Sequence, residues 1–337
     1  MRIDRPQEFA APEGMAPADA GFEARVVALH DATPEIRVFE LQRADGAPLA
    51  PCTAGAHIDL HLAPGLVRQY SLCNGPAQRD RYVIAVKREP ASRGGSAALH
   101  ERVAAGDLLK VTGPRNHFPL AKAAAEHLLL AAGIGVTPLL AMARQLKADC
   151  RRFRLVYFTR SPEHTAFREE LAGADWAGCV DFQHGLEPAQ LPAVLRRLLA
   201  DPRPGGHVYV CGPRPFMEQA LALAGERYPA GTVHSEFFSG DAALQAAPTR
   251  GFAVRCARSG KQLQVAEGES IVAVLGRHGV HVETMCQQGV CGTCLTGVLQ
   301  GRPDHRDCYL TDEERATGNA MLVCCSRSLD PLLVLDL

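Results

Sequence analysis

Apolar and polar positions change rhythm three times along the chain. Residues 1–21 carry Ala, Pro, Asp and Glu with no periodicity and read as a flexible leader. From residue 22 to 122, short apolar runs at 24–29, 38–41, 57–62 and 82–86 are separated by Gly and Pro. Short strands with turn signals at this spacing predict a small antiparallel barrel or sandwich. From 123 to 238, apolar runs at 127–132, 153–158 and 208–211 alternate with helical patterning. Thr137 and Pro138 read as the N-cap and first residue of one helix. Residues 188–200 place Leu191, Val194, Leu195, Leu198 and Leu199 on one face of a second, and 214–225 make a third. Strands alternating with helices predict βαβ units on a parallel sheet. Residues 239–250 have little periodicity and read as a linker. In 251–337, Phe252, Val254 and Cys256 alternate, Ser259-Gly260 turns, and Leu263 and Val265 resume. Ser270 then caps a short helix carrying Ile271, Val274 and Leu275, ending near Gly279. That last stretch is a small α+β unit, and no repeat links it to the others.

Totals narrow the classes. A length of 337 residues predicts two or three domains at roughly 100–200 residues each. Lys+Arg number 36 and Asp+Glu 37, and the net charge of −1 gives no electrostatic case for nucleic acid or an anionic membrane. A hydrophobic share of 47% supports ordinary cores and excludes disorder of the whole chain. Residues 1–21 have no apolar run of the secretory kind. The most membrane-like stretch, 128–143, is too short to span and is interrupted by Gly133, Gly135, Thr137 and Pro138. A soluble, cytoplasmic protein is expected.

The cysteines point to chemistry. There are twelve, and six of them (Cys286, Cys291, Cys294, Cys308, Cys324 and Cys325) lie within forty residues. Clustering of that kind reads as metal or redox chemistry before disulfides. Cys286-x4-Cys291-x2-Cys294 followed, after 29 intervening residues, by Cys324 has the plant-type [2Fe–2S] spacing. Three thiolates converge from one tight loop and the fourth arrives from another segment. Gly289 and Gly292 let that loop fold closely and leave its N–H groups for the sulfurs. A structural zinc site prefers two C-x2–4-C pairs, which the adjacent Cys324-Cys325 does not supply. A thioredoxin-like reading of Cys291–Cys294 lacks its strand–helix context. Of the adjacent pair Cys324 is the expected ligand, and Cys308 is expected to be a small buried hydrophobe.

Two further sets suit nucleotides. Gly133-Ile134-Gly135-Val136-Thr137-Pro138 is a strand, glycine turn and helix start whose N–H groups suit a pyrophosphate, though Pro138 replaces the third glycine of the dinucleotide fingerprint. Cys211-Gly212-Pro213 and Thr159-Arg160-Ser161 are similar turns at strand ends, where parallel sheets bind ligands. In the first region, Arg68-Gln69-Tyr70-Ser71 offers a phosphate clamp, a ring contact and a hydrogen bond. Arg93-Gly94-Gly95-Ser96 precedes a helical stretch whose N-terminus suits a second phosphate contact. Singly, each also reads as an ordinary strand or loop.

In this order the motifs resemble the ferredoxin–NADP⁺ reductase superfamily, most closely the phthalate dioxygenase reductase and vanillate O-demethylase reductase type. The resemblance covers 22–337 and includes RQYSLCN at 68–74, PRNHFPL at 114–120 and LVLDL at 333–337. It implies a flavin-binding antiparallel barrel, a nucleotide-binding α/β unit and a β-grasp ferredoxin, holding FMN, NADH and [2Fe–2S]. By resemblance, Arg68 looks like the flavin phosphate ligand, Tyr70 a ring contact and Ser71 a partner of the hydride-accepting nitrogen. Gln69 lies in the same motif, Lys87 and the Arg93–Ser96 turn hold the rest of FMN, and Phe238 packs on the ring. Gly133, Gly135, Thr137 and Pro138 hold the pyrophosphate, Cys211, Gly212 and Pro213 face the nicotinamide, and Ser161 meets the adenine-side ribose. The 21-residue leader is longer than this type suggests.

The implied activity passes electrons from NADH through FMN and the cluster to a separate Rieske-type oxygenase, with the cofactors carrying the chemistry. The oxygenase is expected to dock transiently at an exposed cluster edge, 287–293, on a monomeric reductase. Alternatives are a reductase for another acceptor, such as a monooxygenase or haem protein, or a non-enzymatic carrier or zinc-stabilised interaction protein. Arg160 leaves NADH versus NADPH open.

Overall fold

The computed structural model describes residues 21–63, 66–75, 77–90, 94–247 and 250–337. The leader 1–20 and Arg93 of the expected phosphate turn lie outside the described residues.

Six strands form the first sheet: β1 (Phe22–Asp31), β2 (Ile36–Arg43), β3 (His57–Ala63), β4 (Leu66–Ser71), β5 (Tyr82–Lys87) and β6 (Leu108–Arg115). Their order is β4-β3-β6-β1-β2-β5 and the strand pairings are antiparallel. A bridge between Leu72 and Ile84 joins the β4 and β5 edges, closing the sheet into a barrel. Alternate residues point inward, so Phe39, Leu41, Ile58, Leu60, Ile84 and Val111 fill it. Helix α1 (Gly95–Arg102) lies between β5 and β6 in the chain.

The second sheet is parallel: β7 (Glu126–Ala132), β8 (Phe153–Thr159), β9 (Val180–His184), β10 (Gly206–Cys211) and β11 (Val233–Glu236), in the order β11-β10-β7-β8-β9. Its helices are α2 (Val136–Ala148), α3 (Arg168–Leu171), α4 (Leu191–Leu198) and α5 (Arg214–Gly225). Leu129, Leu130, Val156, Tyr157, Val208 and Val210 are buried on both faces of the central strands, which explains their continuous apolar runs. Strand order reverses between β7 and β10, and the crevice at their carboxyl ends is the ligand position of such sheets. Helix α2 begins before the expected cap. Gly133–Gly135 already forms a 3₁₀ turn, so Thr137 lies inside the helix and donates to the Ile134 carbonyl at 3.0 Å. Pro138 sits in the first turn, where its missing N–H costs nothing.

The stretch 239–250 carries one short helix, α6 (Ala242–Ala246), capped by Asp241. Beyond it lie β12 (Phe252–Cys256), β13 (Gln262–Val265), α7 (Ile271–Arg277), β14 (Leu295–Gln300), β15 (Pro303–Asp304), α8 (Asp312–Thr317), β16 (Ala320–Leu322), β17 (Arg327–Ser328) and β18 (Leu332–Leu335). The main sheet runs β13-β12-β18-β14-β16, with β12 and β18 parallel. Ser270 caps α7 by accepting from the Ala273 N–H, and α7 buries Ile271, Val274 and Leu275 against Val254, Leu333 and Leu335. The chain therefore combines an antiparallel barrel, a parallel α/β sheet and a small mixed α+β sheet.

Candidate functional site

One cavity of about 1510 Å³ is walled by residues of all three units. Pockets for single small ligands run to roughly 1,000 Å³, so this one has room for two. On the barrel side Arg68, Gln69, Tyr70, Ser71, Lys87 and Ser96 line it. Four successive residues of β4 reach the cavity because β4 is an edge strand at the point of barrel closure. Arg68 crosses the start of α1: a Cβ on Gly95 would lie 2.6 Å from Arg68 Cγ, so only glycine lets the guanidinium lie there. Gly94 enters the helix at φ 89, and no acidic side chain stands in its first turn. An open helix N-terminus beside an arginine suits a phosphate group. Lys87 is paired with Glu89 at 2.8 Å, and Ser96 Oγ accepts from the Glu89 N–H at 3.2 Å.

Across the cavity, Gly133, Ile134 and Thr137 line the β7 turn, and Gly212 and Pro213 the β10 turn. Gly135 and Pro138 lie behind them. The two turns touch: a Cβ on Gly135 would be 2.2 Å from the Cys211 carbonyl oxygen. Cys211 itself is fully buried rather than lining the cavity, and burial keeps its thiol well above its ordinary pKa. Ser161 is also turned away, its Oγ donating to Glu163 Oε2 at 2.6 Å and bonded to His164 Nδ1 at 2.8 Å. Phe238 stands exposed on the cavity wall.

Glu236 is the residue that sequence reading missed. It lies opposite Cys211 in the β10–β11 register, and Ser71 Oγ donates to its Oε2 at 3.3 Å across the barrel–sheet boundary. Burial pushes its carboxyl up to about 8, against the hydrogen bond from Ser71, so it holds a proton at neutral pH. Its only sequence signal is a lone acid two residues before Phe238.

The third wall is the cysteine loop. Gln287, Gly289 and Gly292 adopt positive φ values of 52, 75 and 73°, which wind 286–294 tightly. Cβ atoms on Gly289 and Gly292 would collide with Cys325 Sγ at 2.6 Å and the Tyr309 ring at 2.3 Å. The sulfurs fall into two hydrogen-bonded pairs, Cys286 with Cys291 and Cys294 with Cys324. Within the first pair, the bond from Cys286 holds Cys291 low while Cys286 rises. Cys325 Sγ neighbours Cys324 as well and lies 3.9 Å from the Leu322 carbonyl. Two thiols per iron is the demand of a two-iron cluster; a single zinc needs ligands around one point. No group of three or more His, Cys, Asp or Glu converges so among the described residues. The donor set fits [2Fe–2S].

Two expectations change here. Cys308 is not a buried hydrophobe: it is partly exposed, lines the cavity and accepts from Arg214 Nη2 at 3.2 Å. Its loop is wedged between the start of α5 and the cysteine loop. The stretch 287–293 faces mostly inward, since Gln288, Val290 and Cys291 line the cavity while Gln287 is exposed.

A flavin-type barrel, a dinucleotide-type sheet and a two-iron thiol loop around one cavity define a flavin iron–sulfur oxidoreductase. The chain is 44% identical over 317 residues to the vanillate O-demethylase oxidoreductase of Pseudomonas putida, covering 94% of this chain and 99% of that one. It belongs to the family of vanillate O-demethylase and phthalate dioxygenase reductases. Residues 254–329 match the 2Fe-2S iron-sulfur cluster binding domain, and 111–235 the dimethylamine monooxygenase subunit DmmA-like N-terminal domain. The structure of phthalate dioxygenase reductase, described as modular for electron transfer from pyridine nucleotides to [2Fe–2S], superposes with TM-score 0.71 at 40% identity, covering 95% of this chain and 98% of that one. An intact type IV self-sufficient cytochrome P-450 monooxygenase superposes with TM-score 0.82 at 34% identity, covering 99% of this chain and 43% of that one. FMN, NADH and the [2Fe–2S] cluster follow with the family. No helix among the described residues is long and apolar enough to cross a membrane.

Proposed function

We propose that this chain is the NADH-dependent reductase component of a two-component Rieske-type oxygenase acting on an aromatic substrate, by ring dioxygenation or O-demethylation. The observation that carries it is the single cavity, on which the flavin-type strand, the two nucleotide turns and Cys291 all open. The barrel unit spans 22–122, the nucleotide unit 123–238, the linker 239–250 and the ferredoxin unit 251–337, after a leader of 1–21.

When bound, the flavin and cluster together convert the two-electron chemistry of NADH into single-electron delivery. The chain's own residues bind and align. Arg68, Lys87 and the Gly94–Ser96 turn hold the flavin phosphate end; Arg93, outside the described residues, precedes that turn in the chain. Gln69, Tyr70 and Phe238 border the ring. Gly133, Gly135, Thr137 and Pro138 shape the pyrophosphate turn, and Ser161 stands at its ribose rim by its backbone, its hydroxyl being held by Glu163 and His164. Ser71 orients the reacting flavin edge, while Glu236 keeps a proton at its Oε and Cys211, Gly212 and Pro213 floor the nicotinamide side. Cys286, Cys291, Cys294 and Cys324 ligate the irons. The oxygenase approaches the exposed part of the cluster edge at Gln287, and the reductase works as a monomer in the cytoplasm, where thiols stay reduced.

An anaerobic NADH titration followed in the visible tests this. Flavin bands with iron–sulfur shoulders should bleach; a colourless protein, or no bleaching, overturns the reading. A second acceptor class has its own support, because the same three-unit architecture occurs within the cytochrome P-450 monooxygenase chain. Reoxidation of the reduced protein by Rieske oxygenases supports the first acceptor. Reoxidation by ferric haem proteins alone selects the second.

A further inference from the structure

The ribose rim of the nucleotide crevice carries an ion pair built from two different units. Arg160 follows β8, and its guanidinium donates to Glu35 Oε2 at 2.6 Å. Glu35 belongs to the barrel, in the turn between β1 and β2, and both residues line the cavity.

Each partner stands on a pinned backbone. On the barrel side, Thr33 Oγ1 accepts from the N–H groups of Glu35 and Ile36 at 3.3 and 3.0 Å, and the Glu35 carbonyl accepts from Arg88 N–H at 2.7 Å. On the sheet side, Thr159 Oγ1 bonds Thr165 Oγ1 at 2.7 Å and His184 Nδ1 at 2.8 Å, while its carbonyl accepts from Gly185 N–H at 3.0 Å. The side chains therefore meet without ordering a loop, and the Arg160 guanidinium holds the Glu35 carboxyl below the usual carboxylate range. Nearby charges are already occupied: Lys87 by Glu89, and Glu163 by Ser161.

In sheets of this kind an acidic residue near the ribose favours the 2′-hydroxyl of NADH, and an arginine accommodates the 2′-phosphate of NADPH. Here the arginine is present but engaged. A 2′-phosphate approaching Arg160 must displace a carboxylate that is already hydrogen-bonded, and it meets the charge of Glu35. A 2′-hydroxyl meets neither cost.

We propose that Glu35 is a coenzyme-specificity residue: reaching across from the flavin barrel, it withholds Arg160 from a 2′-phosphate and sets the preference for NADH over NADPH. The proposal rests on the dinucleotide reading of this crevice. Glu35 is a positioning residue, since it acts through Arg160.

The test uses the full-length reductase with its cofactors, comparing kcat/KM for NADH and NADPH at fixed ionic strength. Glu35→Gln should raise kcat/KM for NADPH by about threefold to fivefold, the scale of one exposed ion pair, and leave NADH within about twofold. The gain should shrink in high salt, because the rim is exposed. Adding Arg160→Ala to Glu35→Gln should return NADPH to its wild-type value. An unchanged NADPH-to-NADH ratio in Glu35→Gln, or a gain that survives removal of Arg160, overturns the proposal while the reductase reading stands. If neither nucleotide bleaches the wild-type flavin, both readings are overturned.

Discussion

Glu236 and Ser71 bind two units together through one hydrogen bond, and both are testable alone. The Glu236 carboxyl ordinarily titrates near 4.5 and is pushed to about 8 in the folded chain. Between those values the folded state keeps a proton that the unfolded state releases, so stability falls as pH rises through the window. The cofactor-free protein should lose thermal stability from pH 5 to 8. Glu236→Gln should flatten that slope and unfold at a higher temperature at pH 8; superimposable pH profiles would refute the shift. Ser71→Ala removes the hydroxyl proposed to orient the flavin, and should slow flavin reduction by NADH about tenfold, the cost of one net hydrogen bond. An unchanged stopped-flow rate would sink that role. The sequence made Ser71 visible because it sits in a dense motif with Arg68 and Tyr70. Glu236 was invisible because its meaning comes from register: nothing in the chain says that it lies beside Cys211 until β10 and β11 pair.

Elements show the same division. Strands β1, β2, β3, β5, β7, β8 and β10 were legible because their buried positions make alternating or continuous apolar runs. β9 and β11 were not, as edge strands whose residues are only partly buried. β11 is four residues long, with His234, Ser235 and Glu236 after one valine. The glycines carried a signal that periodicity does not. Gly135 has an ordinary helical backbone, φ −62°, so its need for glycine is contact rather than conformation. Gly135→Ala would drive a methyl into the Cys211 carbonyl oxygen and separate the two nucleotide turns. The expected cost is about 1–3 kcal/mol of stability, with a raised KM for NADH. Thermal melts and steady-state kinetics would read it, and wild-type values of both would show that the turns have slack.

At the scale of the whole molecule, each sheet could be foreseen because it buries its own core, whereas the way the sheets face one another could not. The barrel meets the cysteine loop through polar and aromatic side chains, and such surfaces leave no periodic trace. Asp59, fully buried in β3, anchors Arg115, which donates to Met285 Sδ at 3.3 Å, one residue before Cys286 and 170 positions along the chain. Gln69 bonds His57 at 3.0 Å, His57 stacks on His117 at 5.5 Å, and His117 meets the Tyr309 ring edge-on at 5.7 Å. Tyr309 in turn covers Gly292 of the loop. Burial holds both histidines below their ordinary pKa, so this train of rings is uncharged at neutral pH. Arg115 and His117 of the segment PRNHFPL, prominent in the sequence but without an assigned task, thus face the cluster loop. If this contact sets the distance between the two redox centres, His117→Ala should slow electron passage to the cluster by about tenfold or more. Flavin reduction by NADH and the visible spectrum of the cluster should stay at wild-type values. Double-wavelength stopped flow separates the two phases. Equal second-phase rates in wild type and variant would mean that the ferredoxin unit reaches the flavin by another face.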